Sequence, residues 1–322
     1  MREPIRVFVI CLPSPEEHIN NLRTAFPEVE FRTVENDDLP ASLVTADAVA
    51  AWRIPEEAIA AASNLKWIHR GAAGVEDLIT PTLRDSDIIL TNSSGVHATN
   101  IAEHVLAMML SFARGFPSLF RMQQDRVWDG SRLDTQVFEL TGQTVVLVGV
   151  GEIGQAVAGR ARALGMSTIG VRRRSDQGRP DAIDMMVGIE RLSEVLASAD
   201  HVVNSLPFTE GTQSLFDATA FDAMKMGAHF YNVGRGRTVD TDALVAAIRT
   251  GKIAGAGLDV TDPEPLPRDS KLWDLPNVIL TSHTAGRTPH MWDRVFSLIE
   301  TNLERYQRGD DLVNVVDVDS GY

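Results

Sequence analysis

One junction limits what this chain can become. The run Thr144-Val145-Val146-Leu147-Val148, all β-branched or aliphatic, leads directly into Gly149-Val150-Gly151-Glu152-Ile153-Gly154, and a helical stretch, Gln155–Leu164, begins at once. A GxGxxG alone occurs by chance; between a strand and a helix it reads as the phosphate-binding turn of a dinucleotide-binding fold. Gly149 suits the tight turn, Gly151 the close approach of backbone to a pyrophosphate, and Gly154 the packing of helix on strand. Glu152 and Ile153 open the helix, whose first N–H groups point at the anion. The plain alternative is a glycine turn without a ligand.

The surroundings fit that junction. Further strand candidates are Thr168–Val171, His201–Asn204, His229–Asn232, Gly255–Asp259 and Val278–Leu280, with helical segments Arg191–Ala197, Asp217–Ala223 and Asp240–Arg249 between them. Six strands joined by crossover helices predict a doubly wound Rossmann sheet. A long helix, Asn100–Arg114, precedes it, then the punctuation of Gly115 and Pro117 and a polar arm through Arg126-Val127-Trp128-Asp129-Gly130. Upstream, Val7–Leu12, Ala48–Ala51, Leu65–Ile68 and Ile88–Leu90 alternate with helical Pro15–Ala25 and Pro55–Ser63. After Thr288-Pro289 one more amphipathic helix runs to about Arg308, and Leu312–Val316 reads as an edge strand or a linker back to the first unit. The expected fold class is therefore α/β, with two Rossmann-like domains and doubly wound parallel sheets. A discontinuous, flavodoxin-like domain takes 1–100 plus 288–322, and the dinucleotide-binding domain takes 101–287.

The corner after the second strand bears on the cofactor. An NAD-binding protein carries Asp or Glu there, to hold the adenosine ribose hydroxyls. This chain has Arg172-Arg173-Arg174-Ser175, with Arg172 placed 18 residues beyond Gly154. A carboxylate would repel a 2′-phosphate, whereas guanidinium groups bind it bidentately. NADP(H) is thus the preferred cofactor. A solvated basic turn is the bland reading, and NAD(H) remains open if Asp176 or Asp181 swings in.

Charge and cysteine content exclude other classes. The chain has 322 residues and a formal net charge of -14. A surface of that sign repels phosphate backbones and anionic lipid, so neither nucleic acid nor membrane is an expected partner. The single cysteine, Cys11, permits no intrachain disulfide and sits in an apolar strand as core filler. No apolar run is long enough to span a bilayer, and the cytoplasm is the expected compartment. His97, His104 and His290 lack the spacing and partners of a zinc site, so no metal is expected.

Three segments of the second half stand beyond strand ends, where open α/β sheets gather their chemistry. They are Asn232-Val233-Gly234-Arg235-Gly236-Arg237, then Gly257-Leu258-Asp259-Val260-Thr261-Asp262-Pro263-Glu264-Pro265-Leu266, then Thr281-Ser282-His283-Thr284-Ala285-Gly286. Together with the glycine loop, and in this order, they resemble the D-isomer-specific 2-hydroxyacid dehydrogenase family over essentially the whole chain. A loop of the first unit, Gly71-Ala72-Ala73-Gly74-Val75-Glu76-Asp77, is similar to the family's substrate-domain loop, with Glu76 where many members have Asp.

The resemblance implies an NADP(H)-dependent 2-ketoacid reductase, of glyoxylate or hydroxypyruvate type, acting on a small 2-keto acid or 2-hydroxy acid. It implies that His283 is the general acid/base, Glu264 orients and charges its ring, and Arg235 binds the substrate carboxylate and carbonyl. Such a division suits an imidazole that titrates near neutrality and a planar fork of donors. Ala72, Ala73 and Gly74 would supply backbone N–H groups to the carboxylate. Asp259 would hold the nicotinamide carboxamide, with Leu206, Pro207, Thr212, Val233, Gly234, Ala285 and Gly286 lining the cofactor and Thr212 capping the next helix. A homodimer built on the Asn100–Arg114 helix and its arm is implied as well, with Trp128 either at that interface or in plain packing. His69 and Arg70 could line the cleft, and Met291-Trp292 could floor the pocket. Taken singly, Arg235, Glu264 and His283 could each be ordinary surface or core residues. Within the family, formate dehydrogenases are usually longer and many phosphoglycerate dehydrogenases carry an extra regulatory domain absent here, so neither is the expected activity. The alternative from another class is a dinucleotide-sensing, corepressor-like interaction protein with little turnover.

Overall fold

A computed structural model describes residues 3–174, 176 and 178–319. The chain divides into two compact units, 1–96 with 288–322, and 97–287. Both are α/β units built on wholly parallel sheets.

Among the described residues the first sheet has five strands: β1 Val7–Cys11, β2 Glu30–Thr33, β3 Ala48–Ala51, β4 Trp67–Arg70 and β5 Ile89–Asn92. Their order is β2-β1-β3-β4-β5, the flavodoxin-like arrangement. Successive residues of β1 point to opposite faces, and both faces are covered. Phe8 and Ile10 pack with Trp67 against helices Glu16–Ala25 and Met291–Arg308. Val9 and Cys11 pack with Val49 and Ile68 beneath the short helices Leu39–Leu43 and Glu56–Ala61. Cys11 is buried there as filler. The strand β2 escaped sequence reading because Glu-Phe-Arg-Thr buries only Phe31. The tail 312–316 does return as an edge: Val315 bridges Thr91 in antiparallel sense, and the Val316 N–H donates to the Leu90 carbonyl at 2.8 Å.

The second sheet has seven described strands rather than the six read from sequence. They are β6 Thr144–Val148, β7 Ser167–Arg172, β8 Met185–Gly188, β9 His201–Asn204, β10 Ala228–Asn232, β11 Ile253–Leu258 and β12 Val278–Leu280. The order β12-β11-β10-β9-β6-β7-β8 reverses direction between β6 and β9, which is the switch point of a doubly wound sheet. The unread strand is β8, whose Met-Met-Val-Gly carries no strong strand signal. Valines 146 and 148 face one apolar layer with Phe230, while Val145 and Leu147 face another with helices Ala98–Ala113 and Glu152–Ala163. A further difference lies after Gly115. Its left-handed φ of 68° ends one helix and starts another, Phe116–Gln124, where the sequence suggested only punctuation and an arm. No described helix is long and apolar enough to cross a membrane.

Three buried histidines tie stability to pH. Burial pushes His69 and His201 down to about 3 and His229 down to about 4. His69 lies between the Thr91 and Ser93 hydroxyls at 2.9 and 3.1 Å, so it is a core residue and does not line an open surface. Free histidine titrates near pH 6.5. The unfolded chain therefore takes up protons first as pH falls, and stability is full above about pH 6.5 and declines below it. Each histidine should cost about 1.4 kcal/mol per pH unit until its folded-state value is reached. Urea unfolding between pH 7 and 5 measures this slope. A His69→Gln variant should flatten it for the first unit, and an unchanged slope would refute the assignment.

Candidate active site

The glycine loop follows β6 at the switch point. Gly149 takes a φ of 100°, open to glycine at no steric cost, and a Cβ on Gly154 would lie 2.1 Å from the Gly149 carbonyl oxygen. A Cβ on Gly151 meets nothing within 4 Å, so the space over the helix N-terminus is open. Helix Glu152–Ala163 begins there, with Glu152 and Ile153 in its first turn. An unobstructed helix N-terminus reached by bare backbone fits a pyrophosphate.

Arg172 ends β7, and its guanidinium donates to the Gly178 carbonyl, bracing the corner. Its Nε is buried without a partner among the described residues. Arg173 and Arg174 are exposed, as are Asp176 and Asp181. Ser175 lies outside the described residues.

Beyond β11, Asp259 is buried and acts as an anchor. Its Oδ1 accepts from the Thr281 hydroxyl at 2.6 Å, the Thr284 N–H at 2.9 Å and the Ala285 N–H at 3.2 Å. Its Oδ2 accepts from the Ala285 N–H at 3.1 Å, and its carbonyl accepts from the His283 N–H at 2.8 Å. The Thr281 proton is committed to Asp259, so the Oγ of Thr281 accepts from His104 Nε2 at 3.0 Å. His104 thus backs the anchor, a role invisible in its spacing. Held this way, His283 takes a left-handed φ of 53°, uncommon for a side-chain-bearing residue.

The His283 ring meets Glu264. Nδ1 lies 2.9 Å from Glu264 Oε2, and because a carboxylate only accepts, Nδ1 carries the hydrogen. Glu264 Oε1 accepts from the Thr261 N–H at 3.0 Å, which orients the carboxylate from within its own loop. A cavity of about 800 Å³ adjoins the pair, lined by Glu264, Pro265, Leu266, Trp273, Leu280 and His283.

Arg235 follows β10 in the turn Val233-Gly234-Arg235. It is half-buried, and its Nη1 donates to the Gly234 carbonyl at 3.0 Å. Leu206 and Pro207 lie just past β9. Thr212 does not cap the next α-helix: it closes a capping box with Thr209 in its own short turn, and Asp217 caps helix Ala218–Ala223. The glycine loop, Leu206, Arg235, Asp259, Glu264 and His283 therefore follow the carboxyl ends of β6, β9, β10, β11 and β12, a single edge of one sheet, with Ala285 and Gly286 just beyond.

Ala72, Ala73 and Gly74 lie in the first unit, past β4. The Ala72 carbonyl accepts from the Ser93 N–H at 3.1 Å and the Ala73 carbonyl from Asn92 Nδ2 at 2.8 Å. Arg70 is buried and pairs with Asp77 at 2.9 Å. Trp292 packs on Trp52 and Phe296. Trp128 is fully exposed, at 102%, so plain packing within the chain does not account for it. Among the described residues no cluster of three His, Cys, Asp or Glu side chains could hold a metal ion.

Residues 106–285 match the family described as D-isomer specific 2-hydroxyacid dehydrogenase, NAD binding domain. The chain belongs to this family. The D-3-phosphoglycerate dehydrogenase of Archaeoglobus fulgidus is 31% identical over 316 residues, 97% of this chain but 59% of that protein. This chain therefore spans about three-fifths of that relative's length. The glyoxylate reductase of Pyrococcus furiosus is 31% identical over 310 residues, 92% of this chain and 90% of that one. A crystal structure of a family member from Xanthobacter autotrophicus, in complex with NADPH and MES, superposes with a TM-score of 0.85 at 29% identity, covering 99% of this chain and 100% of that one. Phosphoglycerate dehydrogenases and glyoxylate reductases are thus both among the family members similar to this chain.

Proposed function

We propose that this chain reduces a small 2-keto acid to the D-2-hydroxy acid with NADPH, in the cytoplasm. The observation that carries the reading is the His283–Glu264 pair at 2.9 Å, on the same sheet edge as the Arg235 turn and the glycine loop. A dinucleotide held at the glycine loop would supply the hydride for the keto carbon. With Nδ1 committed to Glu264, Nε2 of His283 is the nitrogen left to deliver a proton to the carbonyl oxygen. Glu264 stabilises the imidazolium that makes this possible. Arg235 binds the carboxylate and polarises the carbonyl. Asp259 would hold the nicotinamide carboxamide, and Leu206, Pro207, Thr212, Val233, Gly234, Ala285 and Gly286 would line the cofactor.

Arg172, Arg173, Arg174 and Ser175 take the 2′-phosphate. The exposure of Arg173 and Arg174 and the NADPH bound to the Xanthobacter relative support this choice. Initial rates with NADPH and NADH over a panel including glyoxylate, hydroxypyruvate and pyruvate test the reaction, with 3-phosphoglycerate oxidation run alongside. Replacing Arg173 and Arg174 together by Ala should raise KM for NADPH by about tenfold or more and leave that for NADH nearly unchanged. Equal effects on both would overturn the phosphate assignment. Tight NADPH binding without turnover of any panel member would favour the dinucleotide-sensing reading. The family resemblance and the fully exposed Trp128 lead us to propose a homodimer, which sedimentation tests by a two-chain mass.

A further inference from the structure

Asn204 ends β9 on a different loop from Arg235, yet its amide reaches the Arg235 turn. It is fully buried, as are Asn232 and Thr238. Asn204 Nδ2 donates to Asn232 Oδ1 at 3.0 Å and to Thr238 Oγ1 at 2.6 Å. Asn204 Oδ1 accepts from the Leu206 N–H at 3.2 Å. Exchanging oxygen and nitrogen would set an amino group against that N–H, so one orientation satisfies every partner.

The bonds continue to one atom. Asn232 Oδ1 also accepts from the Gly234 N–H at 3.1 Å, and its Nδ2 donates to the Arg235 carbonyl at 3.1 Å. Thr238, its lone pair occupied by Asn204, donates its own proton to the same carbonyl at 2.6 Å. Both arms of the network converge on the Arg235 backbone.

We infer that Asn204 is a positioning residue that fixes the Arg235 side chain for the substrate carboxylate, acting through Asn232 and Thr238. The inference rests on the reading that Arg235 binds that carboxylate. Asn204 also holds the Leu206 N–H, so one buried amide keys the loop after β9 and the turn after β10 to each other. A second contact joins the same two segments: the Arg237 guanidinium lies 3.9 Å over the Phe208 ring.

The network is directional, and its direction makes it testable. In Asn204→Asp the side chain keeps its shape but loses both donors. The Thr238 hydroxyl then turns its proton to the new carboxylate, and the Arg235 carbonyl loses a bond. A buried bond lost in this way is worth about tenfold or more in an equilibrium.

The experiment measures KM and kcat for the best keto acid, the inhibition constant of oxamate as a carboxylate mimic, and NADPH affinity by fluorescence, all on the full chain. Asn204→Asp should raise KM and the oxamate constant together by about tenfold or more, with NADPH affinity within about twofold. Thr238→Val should reproduce the defect, while Thr238→Ser, which keeps the hydroxyl, should restore near-normal values. This Thr238 pair decides the matter if the Asp variant does not fold. Unchanged KM and oxamate binding in Asn204→Asp and Thr238→Val would overturn the inference, as would equal losses in Thr238→Val and Thr238→Ser. A wild-type chain that reduces no keto acid would instead overturn the function on which it rests.

Discussion

His283→Asn should lower kcat for keto-acid reduction by about 10²–10⁴-fold while NADPH still binds, the range expected when a positioned general acid is removed. Asparagine is the better substitution than alanine here. The backbone at 283 is left-handed, and Asn tolerates that region far more readily than most residues. The turn and its bonds to Asp259 should therefore survive, so that the loss reports the chemistry rather than a collapsed loop. Glu264→Gln should fall between wild type and His283→Asn, because an amide still meets the ring nitrogen but no longer stabilises its charged form. Undiminished turnover in His283→Asn would remove the proposed mechanism. Loss of NADPH binding would show that the variant had disturbed the fold instead.

Gly236→Ala should be the most damaging single methyl that the site can receive. A Cβ at 236 would lie 1.9 Å from the Thr261 carbonyl oxygen, 2.1 Å from its carbon and 2.7 Å from the Asp262 nitrogen. All three are backbone atoms, so no side-chain rotation relieves the clash. The Thr261 N–H holds Glu264, and Glu264 meets His283. Arg235 stands on the other side of the contact. A displacement there moves the proposed proton donor and the proposed carboxylate ligand apart, and a misplacement of about 1 Å is worth about 10²-fold in rate. We expect kcat/KM to drop by about that factor or more, with a stability loss of about 1–3 kcal/mol from overpacking. Gly159→Ala is the control: it lies within a helix, and its added Cβ meets nothing within 4 Å. It should be active and somewhat more stable, since Ala exceeds Gly in helix propensity. Parallel behaviour of the two variants would contradict the contact.

Local signals carried the fold a long way. Glycine punctuation between a strong strand and a helix located the switch point, and continuous aliphatic runs marked the buried strands. The signal failed where burial is one-sided or brief. Phe31 is the only buried residue of β2, and Met185-Met186-Val187-Gly188 spends its strand propensity on one valine. The helix Phe116–Gln124 was hidden because Gly115 and Pro117 look like a break, although a left-handed glycine followed by a proline in the first turn is also how a helix starts. At the candidate site, the runs placed Arg235, Glu264 and His283 beyond strand ends, and the structure has them there. The network around them was not legible. Asn204 stands 28 residues from Asn232 and 34 from Thr238, and only the pairing of β9 with β10 brings them together. The same holds for His104 and Thr281, 177 residues apart.

The division of the first unit has a consequence during synthesis. Helix Met291–Arg308 covers the face of Phe8, Ile10 and Trp67, and Val316 adds to β5. Between the two parts of that unit lie all the residues from 97 to 287. A ribosome adding about 5–20 residues per second needs roughly ten to forty seconds to pass them. Through that interval the first strands wait with one apolar face uncovered, and at its end the second unit has its whole sequence made before helix Met291–Arg308 exists. The nascent chain should therefore acquire its dinucleotide-binding half first. Its earliest-made strands should be the part that stays exposed longest.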